Sequence, residues 1–316
     1  AVGHYDESLS GAAAGLAMSW TQSGTIDAAN TRWSAYRAGW PHPIDLVRTE
    51  ILEPDGTPVT LLEGITPQEG ASLGVARVRH AAKDHWVLLL SNPRIPLAAF
   101  GKEQVLGAEF TLHADPNRPP PGETVTVSLA SPTGTVTEGL PRVLDTAGEW
   151  VMEIHGEESG LLLTVPLYVG EAAPEDAPLA VPRGLPPTGP ENQARATALG
   201  MDAIDEVRDL VNAPTLIMEP LLSASAREAL RQWMAEEPIS DPFTRAAALG
   251  FGESLLSEIS CTGASINECV DDLYWSIPTR VILLDPRFRF AGCATNVTTA
   301  SVQGGLVSMV VDLATP

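Results

Sequence analysis

The feature that most constrains the fold is a change of hydrophobic period across a Pro-rich acidic stretch, EAAPEDAPLAVPRGLPPTGP, at residues 171–190. Before this stretch, short apolar segments alternate with Pro, Gly and Asp turns, a pattern typical of strands. After it, apolar residues first recur at helical spacing. A stretch with so few large apolar side chains cannot form a core, so we predict a linker. The chain therefore predicts a multi-domain protein.

Two β-rich regions are predicted before the linker. Residues 1–99 contain extended segments such as SLGVARVRHA and HWVLLLS. Residues 100–170 contain short strands separated by turns, and their segment RPPPGETVTVSLASPTG resembles the opening strands of bacterial immunoglobulin-like modules. We therefore predict an all-β N-terminal region with an immunoglobulin-like β-sandwich. Trp33, Tyr36 and Trp40 could form an exposed aromatic surface, although buried packing is the favoured prediction.

Residues 191–316 are predicted to mix helices and strands. The segment SASAREALRQWMAEE predicts a helix with Ser223 or Ser225 as its N-cap, and SINECVDDLYW predicts another with Ser265 as N-cap and Glu268 three residues on. RFAGCATNVTT and GLVSMVVDLA then predict strands. Helices followed by strands in one domain predict a compact α+β or α-β-α unit.

The order of motifs in this last region carries a family resemblance. LVNAP at Leu210–Pro214, DPFTRAAALGF at Asp241–Phe251, LLSEISCTG with Glu258, and YWSIPTRVILLDPRFRFAGC at Tyr274–Cys293 follow one another in order. Together they resemble the bacterial branch of the CAP superfamily (cysteine-rich secretory proteins, antigen 5, pathogenesis-related 1), also called SCP domains. The resemblance implies an α-β-α sandwich with a central cleft. That cleft often holds two histidines and two acidic residues, and in some members a divalent metal.

This chain departs from the family pattern at the histidines. None of its six histidines follows His155. Thr279 stands where the turn histidine is expected, and Ile239 and Ser240 stand at the other histidine position. Glu258, Thr279 and Ser240 are therefore our candidate binding residues in the cleft, with no catalytic residue predicted. We expect no metal and no cofactor, because a carboxylate without imidazole donors is a poor site for a first-row metal.

The three cysteines leave several pairings open. Cys261 and Cys269 flank the short segment TGASINE, and a disulfide between them would close a loop beside Glu258. Cys293 could instead pair with either one, and three reduced cysteines are also ordinary. We predict a disulfide, with the first pairing slightly favoured.

Charge and hydropathy exclude some partners. A net charge of −21 argues against nucleic acid and anionic membranes, because both attract Lys and Arg. No apolar run approaches the roughly 18 residues of a membrane span. The excess carboxylates could bind cations, or repel like copies until cations screen them, and either effect would make association depend on Ca²⁺.

The favoured function is a non-catalytic binding or assembly protein. We expect it to be exported and to act outside the cell, at the cell surface or in the periplasm, with a protein partner or by self-association. An exposed strand edge in the sandwich could add a strand from a neighbour. The alternatives are a cleft hydrolase that uses Glu258, and a carrier of a small apolar ligand such as a lipid or sterol, which the resemblance implies for some members.

Overall fold

The computed structural model describes residues 4–316 except positions 25, 27, 55, 67–69, 96, 99, 115–121, 175–189, 253–254 and 301–303. The chain divides into two compact units, Ala1–Ala177 and Pro178–Pro316. Most of the predicted linker therefore lies outside the described residues.

The first part of unit 1 contains two helices, so the prediction of an all-β N-terminal region is wrong. Residues 7–23 are rich in Ala, the best helix former. Their apolar positions recur at helical spacing, and a helix with such a stripe buries it against a sheet. The buried apolar side chains are those of Leu9, Ala12, Ala13, Leu16 and Ala17. The elements are β1 (His4–Tyr5), α1 (Glu7–Ser23), α2 (Ala28–Arg37), β2 (Leu46–Leu52), a 3₁₀ turn (Thr60–Leu62), β3 (Ser72–His80) and β4 (Lys83–Ser91).

Helix α1 lies very close to the sheet, whose strand order is β1-β3-β4-β2. A Cβ at Gly74 in β3 would lie 2.3 Å from the carbonyl carbon of Leu9, so this position needs glycine. The helix begins at the N-cap Asp6, whose carboxylate accepts a hydrogen bond of 3.0 Å from the Leu9 amide. It ends at Gly24, whose φ of 75° is left-handed.

The second part of unit 1 consists of strands in two sheets. A five-stranded sheet has the order β5-β11-β10-β7-β8, and β6 pairs with β9. The immunoglobulin-like assignment and the predicted domain boundary at residue 99 both stay predictions. The strands are β5 (Glu103–Gln104), β6 (Glu109–Phe110), β7 (Val125–Ala130), β8 (Val136–Glu138), β9 (Arg142–Val143), β10 (Gly148–Gly156) and β11 (Gly160–Val169).

An aromatic cluster joins the two parts of unit 1. Trp33 of α2 meets Tyr168 of β11 edge-on, with ring centroids 6.3 Å apart, and Tyr36 lies 5.5 Å from Trp33. Trp33, Tyr36 and Trp40 are all buried. The favoured prediction of buried packing is therefore confirmed, and these rings do not form an exposed binding surface.

Unit 2 mixes helices with one sheet, as predicted. The strand order is β12-β14-β15-β13. Val310 and Ala314 of β15 pack with α4 and α5 on one face, whereas Met309 faces Gly200 of α3 on the other. The elements are α3 (Pro190–Asp209), β12 (Ile217–Met218), α4 (Pro220–Met234), α5 (Pro242–Ala248), β13 (Leu256–Gly263), α6 (Ile266–Trp275), α7 (Ile277–Leu284), β14 (Phe290–Ala300) and β15 (Gly304–Ala314). Among the described helices, none combines the length and apolar character that crossing a bilayer requires.

Two predicted helix starts have different outcomes. Ser265 caps α6 by accepting a 3.1 Å hydrogen bond from the Glu268 amide, which confirms that N-cap. The prediction of Ser223 or Ser225 as N-cap is wrong, because α4 begins earlier, at Pro220, with Glu219 as its cap. Proline is favoured at the first helical position because its missing amide has no partner to lose there. Ser225 is consequently placed inside α4, where its side chain is buried.

A buried arginine joins the end of α3 to the chain after α7. Arg208 is fully buried and donates to the carbonyls of Pro214 at 2.8 Å and Phe288 at 3.1 Å, and also to the carbonyl of Leu283. A guanidinium offers five N–H donors, so one side chain satisfies several carbonyls that would otherwise be left without partners. Arg208 therefore holds the segment around Phe288 in place before β14 begins.

Candidate functional site

The candidate site is centred on a buried arginine that the motif comparison did not single out. Arg245 lies on α5, where Asp241 caps the helix start through the Thr244 amide at 2.9 Å. Its guanidinium donates to the Glu258 carboxylate and, at 3.4 Å, to that of Asp312. Only 3% of the Arg245 side chain is exposed. The positive charge is therefore placed between two acidic groups in the interior of unit 2.

The remaining donors of Arg245 bind main-chain and hydroxyl oxygens. Its Nε atom donates to the carbonyl of Ser225 at 3.2 Å and to the Ser225 hydroxyl at 3.3 Å. Its Nη1 atom donates to the carbonyl of Ser240. The side chain is thus held by α4 and by the loop before α5 as well as by the sheet, which fixes its position.

Glu258 and Asp312 are direct neighbours across two antiparallel strands. They are register partners on β13 and β15. Asp312 is almost fully buried, and its Oδ2 atom has no hydrogen-bond partner within the described residues. Burial and the neighbouring Glu258 carboxylate raise the pKa of Asp312 to about 7, against the lowering effects of the Ser225 hydroxyl and of Arg245. The site has two carboxyl groups for one guanidinium, so it can hold a proton near neutral pH.

Of the three predicted site residues, two bond to Arg245, whereas the third bonds within helices α6 and α7. Glu258 bonds its guanidinium, and Ser240 contributes its main-chain carbonyl. The Ser240 hydroxyl donates to Gln232 at 3.2 Å. Thr279 donates its hydroxyl to the carbonyl of Leu273 at 2.7 Å, so it is bonded within its own pair of helices. The role of these residues in binding stays a prediction.

Sequence reasoning missed Arg245, Asp312 and Ser225. Arg245 was visible in DPFTRAAALGF, but its partners lie 13 and 67 positions away along the chain. Asp312 offered a usable signal, because it is a lone carboxylate within the apolar strand GLVSMVVDLA. A charge in such a strand is rarely buried without a partner, so it indicates a nearby cation.

The arrangement does not suit a metal ion. A guanidinium already occupies the space between the two carboxylates, and its positive charge would oppose a divalent cation there. Within the described ranges, no group of three or more His, Cys, Asp and Glu side chains is placed to hold a metal. What the site can do is neutralise its own acidic groups and bind a proton.

A disulfide lies on the strand that carries Glu258. Cys261 of β13 and Cys269 of α6 are joined, with their Cα atoms 5.2 Å apart, whereas Cys293 is a buried free thiol. The bond ties α6 to the edge of the sheet. In a chain-entropy estimate, closing so short a loop contributes about 2–3 kcal/mol to the free energy of unfolding.

Thiol counting tests this pairing. We expect no alkylation in the native protein without reductant, one alkylated cysteine after unfolding in urea, and three after unfolding with reductant. Burial raises the pKa of Cys293 to about 12, which also suppresses its reactive thiolate in the folded state. Intact-mass measurement reads each state directly. Three alkylated cysteines without reductant would contradict the disulfide.

The acidic pair predicts a pH dependence of stability. In the unfolded chain, an aspartate releases its proton near pH 3.9. Folded Asp312 keeps its proton up to about pH 7. Between these values the folded state binds the extra proton, so this stabilisation is complete at low pH and is lost as the pH rises through about 7. Across that window we expect the contribution of Asp312 to the free energy of unfolding of unit 2 to fall by about 1.4 kcal/mol per pH unit.

The comparison with Asp312→Asn isolates this effect, because other carboxyl groups titrate as well. Asp205 also has a raised pKa, chiefly from burial, whereas Asp285 has a lowered pKa, chiefly from its hydrogen bond with Arg287. When the pH is raised from about 5 to about 7, the urea midpoint of unit 2 should fall by more in the wild type than in the variant. Equal pH slopes would exclude Asp312 as the group responsible.

Comparisons with known proteins give a few partial likenesses, all of them to solved structures. No family model matches it, and the search of curated proteins gives no match. Among solved structures, the chain is similar to an outer surface protein from Borrelia burgdorferi, with 17% identity over 38% of this chain and 92% of that protein, at a TM-score of 0.33.

Two further solved structures are extracellular or secretory proteins. One is a cysteine-rich secretory protein from Staphylococcus aureus, with 12% identity over 55% of this chain and 58% of that protein, at a TM-score of 0.33. The other is an extracellular protein containing an SCP domain from Bacillus anthracis, with 13% identity over 53% of this chain and 57% of that protein, at a TM-score of 0.34. The chain spans less than two thirds of these two proteins. Likenesses with TM-scores of 0.33 and 0.34 define neither the fold, nor the domain class, nor the activity of this chain.

Proposed function

We propose that this chain is an exported, non-catalytic protein that binds or assembles with other proteins outside the cell, with unit 2 as a CAP-like scaffold. The observation that carries the proposal is that the side chains of Glu258 and Thr279 already have hydrogen-bond partners inside unit 2. The Glu258 carboxylate is bonded to the buried guanidinium of Arg245, and Thr279 is bonded to the carbonyl of Leu273. Glu258 and Thr279, the residues that would act on a substrate in the cleft, therefore make contacts that hold unit 2 together.

Two further properties support this function. No imidazole is available beyond His155, so the C-terminal region has no side chain that ordinarily exchanges protons near neutral pH apart from its buried acidic pair. The disulfide between Cys261 and Cys269 suits an oxidising compartment, such as the periplasm or the exterior of the cell.

Solution mass and hydrolysis assays together test the proposal. Light scattering over a range of protein concentrations, with calcium and with a chelator, should give masses above the 33.4 kDa of one chain. Wild type and Glu258→Gln should be equally inactive towards p-nitrophenyl acetate and casein. A mass of one chain in every condition would contradict self-association, and hydrolysis that disappears with Glu258→Gln would contradict a non-catalytic role.

A second candidate, a carrier of small apolar ligands, is favoured by one observation in unit 1. A cavity of about 720 Å³ lies beside β7 and is lined mainly by apolar side chains, with Thr111, His113 and Glu138 among its polar ones. Its volume lies within the range of small-molecule sites. A neutral apolar dye such as N-phenylnaphthylamine should then bind with one site per chain, and Val127→Trp, which fills the cavity, should abolish binding. An absence of saturable binding would rule this candidate out.

A further inference from the structure

The edges of the sheets differ in how well they are protected against pairing with another chain. An edge strand exposes unpaired amide and carbonyl groups, and proteins usually block it by making it short or by adding charges or Pro. The edge strands β1, β5 and β12 have two residues each, and β8 has three. The longer edge strand β2 carries Arg48 and Glu50. Each of these five edge strands is therefore protected, four by being short and β2 by its charged side chains.

Strand β13 is not short, and it has no Pro and no free charge to protect it. It forms the end of the unit 2 sheet, and its eight residues, LSEISCTG, contain one charged residue and no Pro. That charged residue is Glu258, whose carboxylate is bonded to Arg245. The contact with Arg245 thus engages the only charged side chain within the strand itself.

The pairing with β15 determines which amides of β13 face outward. The Thr315 amide donates to the carbonyl of Leu255 at 3.1 Å, and the register continues from the pair Leu256 and Ala314. Because hydrogen-bonded positions alternate in an antiparallel pair, the odd-numbered residues bond β15. The amides of Glu258, Ser260 and Thr262 point away from it. Ser260 and Thr262 are also exposed, and none of the main-chain hydrogen bonds that the described residues form outside regular helices and strands involves these three amides.

We propose that β13 pairs antiparallel with β13 of a second copy of this chain, which joins two unit 2 sheets into one. This inference rests on the proposed function and names its partner and its surface. An antiparallel pair of identical strands is two-fold symmetric, so each outward amide of one copy meets an outward carbonyl of the other. Ser and Thr side chains lie at the exposed positions, so no exposed charge of one strand faces the same charge of the other.

Charge sets the conditions under which this pairing forms. Two copies that each carry a net charge of −21 repel one another, and salt screens that repulsion because the Debye length is about 10 Å at 0.1 M and 3 Å at 1 M. Association should therefore strengthen as the salt concentration rises. An interface held mainly by opposite charges would show the reverse.

Ser260→Pro tests the pairing because it removes one outward amide and leaves the ladder with β15 intact. Each dimer loses two hydrogen bonds, one from each copy, which should raise the dissociation constant roughly 10- to 100-fold. Ser260→Ala is the matched control, because it keeps the amide and should dimerise like wild type. Sedimentation equilibrium of the full chain at low and high salt gives the constants.

A second measurement tests the pairing without the proline variant, in case Ser260→Pro does not fold. In wild type, hydrogen exchange of residues 256–263 should slow as the protein concentration rises, and Ser260→Lys, which adds a charge opposite its own copy, should abolish that slowing. An oligomer whose mass is unchanged in both Ser260→Pro and Ser260→Lys overturns the edge pairing but leaves the proposed assembly function standing. A wild-type protein that is monomeric at every salt concentration overturns the pairing and self-association together.

Discussion

Replacement of Arg245 by methionine is expected to lower the free energy of unfolding of unit 2 by about 3–5 kcal/mol at neutral pH, because removing one partner from a buried ion pair leaves the other charge uncompensated. In this variant two carboxyl groups, Glu258 and Asp312, would face each other across adjacent strands without a cation. The carbonyls of Ser225 and Ser240 would also lose a donor. The loss should shrink towards acidic pH, where Asp312 holds its proton.

Cys293 provides the readout for this experiment in the full chain. Its thiol is buried on β14, so its alkylation in increasing urea reports the opening of unit 2 separately from unit 1. Arg231→Met is the matched control, because Arg231 also binds two carboxylates, Glu228 and Glu237, but at the surface. Exposed pairs contribute little to stability, so this control should stay close to wild type.

The triple variant Arg245→Met, Glu258→Gln and Asp312→Asn separates charge from packing. With no charges left in the cluster, much of the lost stability should return, since buried ion pairs are often replaceable as a set. If Arg245→Met were as stable as Arg231→Met, the cluster would not be the structural element that we describe. The contact between Glu258 and Arg245 would then make no contribution to the stability of unit 2.

The extent of agreement between sequence and structure follows the distance over which each signal acts. The N-cap at Ser265 was predictable because its hydrogen bond to Glu268 spans three residues. The α1 helix was predictable in principle from the spacing of its apolar residues, but the extended segments later in residues 1–99 led to an all-β prediction for the whole region. The N-cap of α4 was misplaced because Glu219 and Pro220 compete with the more familiar Ser signal at Ser225.

The candidate site was only partly predictable, because its contacts join four separate elements. Arg245, Glu258 and Asp312 belong to α5, β13 and β15, and Ser225 belongs to α4. No local period or spacing relates residues so far apart. The motif resemblance located Glu258 but placed it beside Thr279, which belongs to a different hydrogen-bonding group. Only the packing of α4 and α5 on the sheet determines which cation meets which carboxylate.

The close approach of α4 to the sheet depends on a single glycine. Gly292 lies on β14 directly under α4. A Cβ at this position would lie 2.0 Å from the carbonyl carbon of Leu222 and 2.1 Å from the amide nitrogen of Ser223. These are main-chain atoms, which no change of rotamer can move. Gly292→Ala must therefore displace the helix, and we expect it to cost about 3 kcal/mol or more of the unfolding free energy of unit 2.

Displacement of α4 should also disturb the acidic cluster, because Ser225 on the same helix accepts hydrogen bonds from Arg245. The pH dependence assigned to Asp312 should therefore weaken in Gly292→Ala together with the stability. Gly252→Ala is the matched control in the same unit, since a Cβ there meets nothing within 4 Å. Hydrogen exchange of β14 and β15 in increasing urea measures both variants. Equal protection in the two would mean that α4 adapts to the added methyl group, and that the cluster does not depend on the close approach of helix and sheet.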